Sequence, residues 1–182
     1  MPDDREILEI YNMEGRQEYA FNLIVRKYGE RLYRLVRKMT SSHSQADDVL
    51  QDTFLKVWKY LPDFREESGL YTWMYRIAVN ETITALRRER LRSAFSLSDK
   101  NGKAALTLAA DPYFCGDDVQ RRLYGAVAKL PPKQRAVFTL KYFEGLKYEE
   151  IAFVLGGTVG SLKASYHHAY TKICRSMEED AV

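Results

Sequence analysis

The chain has 182 residues, 46% of them hydrophobic and 29% charged, with a formal net charge of +3 at pH 7. That length suits one ordinary domain or two small ones, and the apolar fraction excludes disorder as the default state. Two cysteines, Cys115 and Cys174, stand far apart and without metal-ligand spacing, which excludes a disulfide framework or a zinc site.

Charge is unevenly placed. Residues 1–19 hold two basic and six acidic side chains, 20–92 hold fourteen and nine, 93–117 two and three, and 118–182 ten and seven. Two basic blocks around a slightly acidic spacer fit an anionic polymer as partner, and they also fit ordinary variation. The acidic N-terminus lacks the basic and apolar regions of a secretory signal. No apolar run approaches the roughly 20 residues of a membrane span. The expectation is a cytoplasmic protein with no membrane insertion.

Residues 1–19 suggest a short helix around Ile7, Leu8, Ile10 and Tyr11 that either docks or frays. A strong helix is predicted over 19–39, where Phe21, Ile24, Val25, Tyr28, Leu32, Leu35, Val36 and Met39 keep the rhythm of one buried face. Arg26, Arg31, Arg34, Arg37 and Lys38 form its other, basic face, which reads either as solvated surface or, in part, as a face toward nucleic acid. After a polar break, Ser44 with Asp47 reads as a capping box for a helix over 45–60. Its stripe is Ala46, Val49, Leu50, Thr53, Phe54, Val57, Trp58 and Leu61, and off the stripe lie Asp48, Gln51, Asp52 and Leu55. An acidic, amide-rich patch repels DNA and suits a basic protein partner, although acidic residues near a helix start also serve the helix dipole.

Pro62 ends that helix, a loop follows over 62–71, and Thr72 is placed to cap a helix over 72–92. This helix is apolar nearly all round at first and ends in Arg87, Arg88, Arg90 and Arg92. Phe64 and Tyr71 precede it, Trp73 and Tyr75 lie within it, and Asn80 is a lone amide requiring a partner if buried. One reading is a core helix with a solvated basic end. The other is a rod that stacks unpaired bases on aromatic rings and neutralises phosphates with arginines.

Periodicity fails over 93–117, which reads as a flexible linker. Beyond it, four helical segments are expected, the first burying Val119, Leu123, Ala126, Val127 and Leu130. The last two, joined through Gly156, Gly157 and the cap Thr158, carry the helix-turn-helix signature. The outward face of the second presents Ser161, Lys163, Ala164, Ser165, His167, His168 and Lys172, a thin set of groups for guanine acceptors, phosphates or thymine methyls. No phosphate loop, metal-binding helix or nucleophile elbow occurs, so neither an enzyme nor a cofactor is expected. The fold class is all-α: two small helical domains, 1–92 and 118–182, joined by the linker 93–117, with the helix-turn-helix in the second.

Five motifs in this order, ADDVLQDTFLKVW (46–58), YTWMYRIAVN (71–80), LPPKQR (130–135), EGLKYEEIA (144–152) and VGSLK (159–163), resemble the extracytoplasmic-function (ECF) group of bacterial RNA polymerase sigma factors. The likeness covers roughly 20–92 and 118–175. It implies that Asp48, Gln51, Asp52, Leu55 and Trp58 dock on the β′ clamp helices of core polymerase. It implies that Phe64, Tyr71, Arg76 and Asn80 capture flipped bases of the −10 element, with Arg87 and Arg88 on the nearby backbone. It implies that Ser161, Lys163, Ala164, Ser165, His167 and His168 read the −35 element. The β flap, promoter DNA and an anti-sigma factor complete the implied partners. Lys147 stands where a capping Ser or Thr is usual, Gly157 where the family has an apolar residue, and Ser165 and His168 where Arg is frequent. Two other classes are weighed: a self-sufficient helix-turn-helix regulator of duplex DNA, and an interaction protein with no DNA role. The acidic patch and the aromatic-arginine helix favour the sigma factor, because a duplex regulator needs neither.

Overall fold

The computed structural model describes residues 1–40, 42–95 and 118–179, and every regular element among them is helical. In order these are α1 (Asp4–Tyr11), α2 (Gln17–Met39), α3 (His43–Tyr60), a 3-10 turn (Leu61–Asp63), α4 (Leu70–Phe95), α5 (Asp118–Ala128), α6 (Pro132–Phe138), a π turn (Thr139–Phe143), α7 (Tyr148–Leu155) and α8 (Val159–Glu179). The all-α reading holds, as does the helix-turn-helix in the second half. The linker reading over 93–117 falls outside the described residues from 96 onward, and residues 93–95 belong to α4.

The acidic N-terminus docks. Asp3 accepts from the Glu6 amide at 2.8 Å and the Glu6 carboxylate returns to the Asp3 amide at 2.8 Å, a complete capping box. Asp4 then bridges to Lys27 at 2.7 Å and accepts the Tyr28 hydroxyl, while Ile7 is fully buried. Two helix starts differ from expectation. The cap of α3 is Ser42, accepting from the Gln45 amide at 3.2 Å, rather than Ser44. Serines two residues apart are equal as caps, and the contact of Tyr33 with His43 (2.6 Å) ties the earlier start to α2. Likewise α4 begins at Leu70, two residues before Thr72, because Leu70 is buried and Gly69 accepts the first helical bond, from Trp73 at 3.1 Å.

One apolar cluster runs through both halves of the chain. It joins Ile24, Leu32 and Val36 of α2, Val49 and Val57 of α3, and Met74 and Val79 of α4 to Val137, Leu140, Ile151 and Leu162 of the second half. Each such side chain contributes about 1.5–3 kcal/mol of burial. A smaller cluster packs Ala126, Val127 and Leu130 on Phe138, Ala169 and Ile173. That packing begins at Leu123, which leaves Val119 in solvent, contrary to its expected burial. Arg37 departs the other way: it is fully buried rather than solvated, and its Nη1 donates to the Thr40 carbonyl at 3.0 Å, where α2 needs a cation at its C-terminal end.

Glycine shapes the helix-turn-helix. Gly156 and Gly157 have φ of +71° and +93°, which other residues adopt only under strain, and Thr158 Oγ1 then accepts from the Ser161 amide at 3.2 Å. At the start of α7 Lys147 has no acceptor to offer, and the Glu150 carboxylate alone closes the turn, on the Lys147 amide at 2.6 Å.

Burial also sets an alkaline limit. Tyr75 is buried with no hydrogen-bond partner for its hydroxyl among the described residues, and desolvation raises its pKa above the usual 10, as it does for Tyr28 and Tyr71. The unfolded chain releases these protons first, so their stabilising contribution is intact below pH 10 and is lost as pH rises above it. Arg135, lowered by burial to about 10 from 12.5, acts with the opposite sign but is one group against several. The thermal midpoint is expected to hold to about pH 9.5 and to fall beyond it. Tyr75→Phe should be neutral or stabilising by up to about 1 kcal/mol and should blunt that fall, because it removes an unpaired buried hydroxyl. A clear loss of stability in this variant at pH 7 would disprove the account.

Candidate nucleic-acid and protein interfaces

Three surfaces carry the residues singled out in the sequence. The first is the outer edge of α3, where Asp48, Gln51, Asp52 and Leu55 recur at helical spacing and are all exposed. Leu55 is 60% exposed and Trp58 41%, so this edge is apolar as well as acidic. Trp58 belonged to the predicted buried stripe, yet it is exposed, its ring packed edge-to-face with Phe21 at 5.1 Å. Lys56, which could neutralise the edge, is turned to Glu81 of α4 at 2.6 Å. Among the described residues neither Asp48 nor Asp52 has an ion-pair partner.

The second surface is built by the 64–69 loop and α4. The Phe64 ring lies 5.1 Å from Trp73, at one side of a cleft of about 410 Å³ that Asp63, Arg65, Glu67, Ser68, Arg76 and Phe153 also line. The loop turns at Glu66 with φ of 55°, a conformation that costs a non-glycine residue energy and clusters at binding sites. Asn80 is exposed rather than buried, and its amide donates to the Arg76 carbonyl at 2.9 Å, leaving its oxygen to solvent. Arg76, Asn80 and Arg87 lie along one side of α4 with Arg88 beside them, a track of about 18 Å at 1.5 Å per residue. Tyr71 is set apart from Phe64. Its ring faces the Arg31 guanidinium at 3.9 Å and abuts Tyr28 and Tyr75.

Sequence reasoning missed Phe153, which belongs to the other half of the chain; Trp73 stood both among the stacking rings and as core cover, and Arg31 only as one of a basic face. The pairing of Arg31 with Tyr71 spans forty residues, so no local pattern announces it.

The third surface is the exposed side of α8. Ser161, Lys163, Ala164, His167 and His168 are exposed and Ser165 half-buried. Ser161 is occupied in the cap, its hydroxyl donating to the Thr158 carbonyl at 2.8 Å. Lys163 stands 5.7 Å from the Tyr148 ring, and Lys172 donates to Gln134 at 3.1 Å. Among the described residues no group of three or more His, Cys, Asp or Glu is placed to hold a metal ion. None of the described helices is long and apolar enough to cross a membrane.

With this geometry in place, likeness to known proteins becomes informative. Residues 24–92 match Sigma-70 region 2 and residues 120–173 match Sigma-70 region 4. The chain is 30% identical to the RNA polymerase sigma-H factor of Pseudomonas aeruginosa over 183 residues, covering 96% of this chain and 94% of that protein. It is 29% identical to the ECF RNA polymerase sigma-E factor of Escherichia coli K12 over 175 residues, covering 88% and 87%. Among solved structures, the sigma factor RpoE in complex with the anti-sigma factor NepR from Bartonella quintana shares the fold, with a TM-score of 0.66, 24% identity and coverage of 87% and 96%. CnrH in complex with the cytosolic domain of CnrY does so with a TM-score of 0.64, 24% identity and coverage of 97% and 98%. The chain belongs to the ECF group of RNA polymerase sigma factors. It accordingly binds core RNA polymerase and directs promoter recognition, −10 strand opening and transcription initiation. The self-sufficient duplex regulator is not favoured.

Proposed function

We propose a division of this work among the three surfaces. Residues 1–92 dock on the β′ clamp helices through Asp48, Gln51, Asp52, Leu55 and Trp58. The same unit holds the separated −10 strand, with Phe64 and Tyr71 as stacking rings, Arg76 and Asn80 toward the bases, and Arg87 and Arg88 on the backbone. Residues 118–182 meet the β flap and read the −35 element through Ser161, Lys163, Ala164, Ser165, His167 and His168, with 93–117 as the connection. Polymerization chemistry stays with the core enzyme; this chain contributes binding alone, in the cytoplasm. An anti-sigma factor is a further partner on this reading, by analogy with RpoE and CnrH, which were solved with NepR and CnrY.

The observation that carries this reading is the pairing, on adjacent helices, of an unneutralised acidic edge with an aromatic and arginine cleft. A protein partner suits the first and an unpaired strand the second. Run-off transcription with core polymerase on genomic fragments tests it and yields the promoter. Phe64→Ala or Asn80→Ala should lower open-complex formation about tenfold, in line with roughly 1–3 kcal/mol per stacked base. Both variants should still co-migrate with core polymerase. Tight dimeric binding to a promoter duplex without polymerase would remove the whole assignment.

A further inference from the structure

Lys56 lies on the flank of α3, between the buried Thr53 one turn back on one side and the exposed Asp52 one turn back on the other. A carboxylate with a lysine four residues on is a favoured ion-pair spacing in an α-helix, so α3 by itself would neutralise its own acidic edge. In the structure it does not. Lys56 Nζ sits 2.6 Å from Glu81 Oε1 of α4, with the Glu81 side chain 14% exposed and that of Lys56 47%. Two turns further along α4, Glu89 Oε2 accepts from Gln45 Nε2 at 2.8 Å, so a second polar side chain on this flank of α3 also turns toward α4. The sheltered Glu81 carboxylate attracts the ammonium more strongly than the solvated Asp52 does, because less water screens it. Lys59 is exposed two turns beyond Asp52, about 10 Å along the axis and outside ion-pair reach.

We propose that Glu81 is a positioning residue for polymerase docking, acting through Lys56. Resting on the docking assignment above, the claim is that Glu81 holds this cation against α4 and so keeps the edge of Asp48 and Asp52 open to a basic partner. A Lys56 released from Glu81 swings back one turn to Asp52. The cations of the partner must then displace it, and the displaced ammonium at the rim repels them. Breaking a pair of this spacing costs about twofold in affinity, and the rim repulsion adds a comparable factor, much of it in the association rate. The fold itself loses little, since an ion pair that water reaches contributes modestly to stability.

Fluorescence titration of the full-length chain with core RNA polymerase, beside thermal melts, tests the role. Glu81→Gln should weaken association about fivefold, with the loss shrinking as salt is raised. Adding Lys56→Gln to that variant should bring association back to within about twofold of wild type, because the loose cation is gone. A glutamate serving only the fold gives no such rescue, since the double variant also lacks the ion pair. Glu9→Gln removes the same charge on α1, where Glu9 pairs with Arg5 at 3.3 Å, and should change association by less than about twofold. Three results would overturn the role: unchanged association in Glu81→Gln, a defect that Lys56→Gln does not relieve, or an equal loss in Glu9→Gln, which makes net charge the cause. The docking assignment is judged separately by Asp52→Arg. Wild-type association in that variant removes the assignment and the role together, whereas a loss there with none in Glu81→Gln removes the role of Glu81 alone.

Discussion

Asp52→Arg is expected to weaken association with core RNA polymerase about thirty- to a hundredfold while leaving the thermal midpoint essentially unchanged. The position lies on the exposed edge of α3 with Asp48, Gln51 and Leu55, and no cation of this chain is paired with it among the described residues. Reversing its charge removes one attraction to a basic partner and adds a repulsion, an effect of about 2–3 kcal/mol at a desolvated contact. The fold is spared because an exposed substitution away from the core changes stability by roughly 0.5 kcal/mol or less. Lys56 cannot compensate by sharing the edge, since Glu81 holds it at 2.6 Å. Fluorescence titration with core polymerase, beside a thermal melt, separates the two effects. Unchanged association would strip the acidic edge of its assigned role.

Arg135→Ala is the expected stability defect. This guanidinium is 8% exposed, and it donates to the carbonyls of Ala128, of Leu130 at 3.4 Å, and of Met39 at 3.1 Å. Burial lowers its pKa to about 10, so it remains protonated at neutral pH, held by these oxygens. Alanine leaves a cavity and strands carbonyls on both halves of the chain, for a loss of about 3 kcal/mol. At roughly 2–4 °C per kcal/mol for a chain of this size, the midpoint should fall by about 6–12 °C. Arg135→Lys should recover little, because a single ammonium cannot reach all the carbonyl acceptors that the guanidinium's planar fork of donors spans. A midpoint within about 2 °C of wild type would show that the contacts contribute nothing net.

Both expectations start from residues visible in the sequence, yet they differ in how far the sequence leads to them. Asp52 is legible because helical spacing alone puts it off the apolar stripe of α3. Arg135 is legible only as part of a Leu-Pro-Pro-Lys-Gln-Arg motif. Nothing local says that its guanidinium crosses to the end of α2. Arg37 and Val119 make the same point as errors. A charged residue near a helix end reads as solvated and a valine at stripe spacing reads as buried, until a neighbouring helix supplies a carbonyl or stops short.

What the sequence by itself determined is the number and order of the α-helices among the described residues, the helix-turn-helix, and the family; the 3-10 turn after α3 and the π turn after α6 it did not show. Hydrophobic period, proline and glycine act over a few residues, and five motifs in order leave little room for another class. The tertiary structure decided cap positions between equivalent serines, the pairing of Arg31 with Tyr71, the exposure of Trp58, and the placement of Phe153 over Arg76. Each depends on contacts between side chains far apart in the chain, whose energies exist only once the helices have packed.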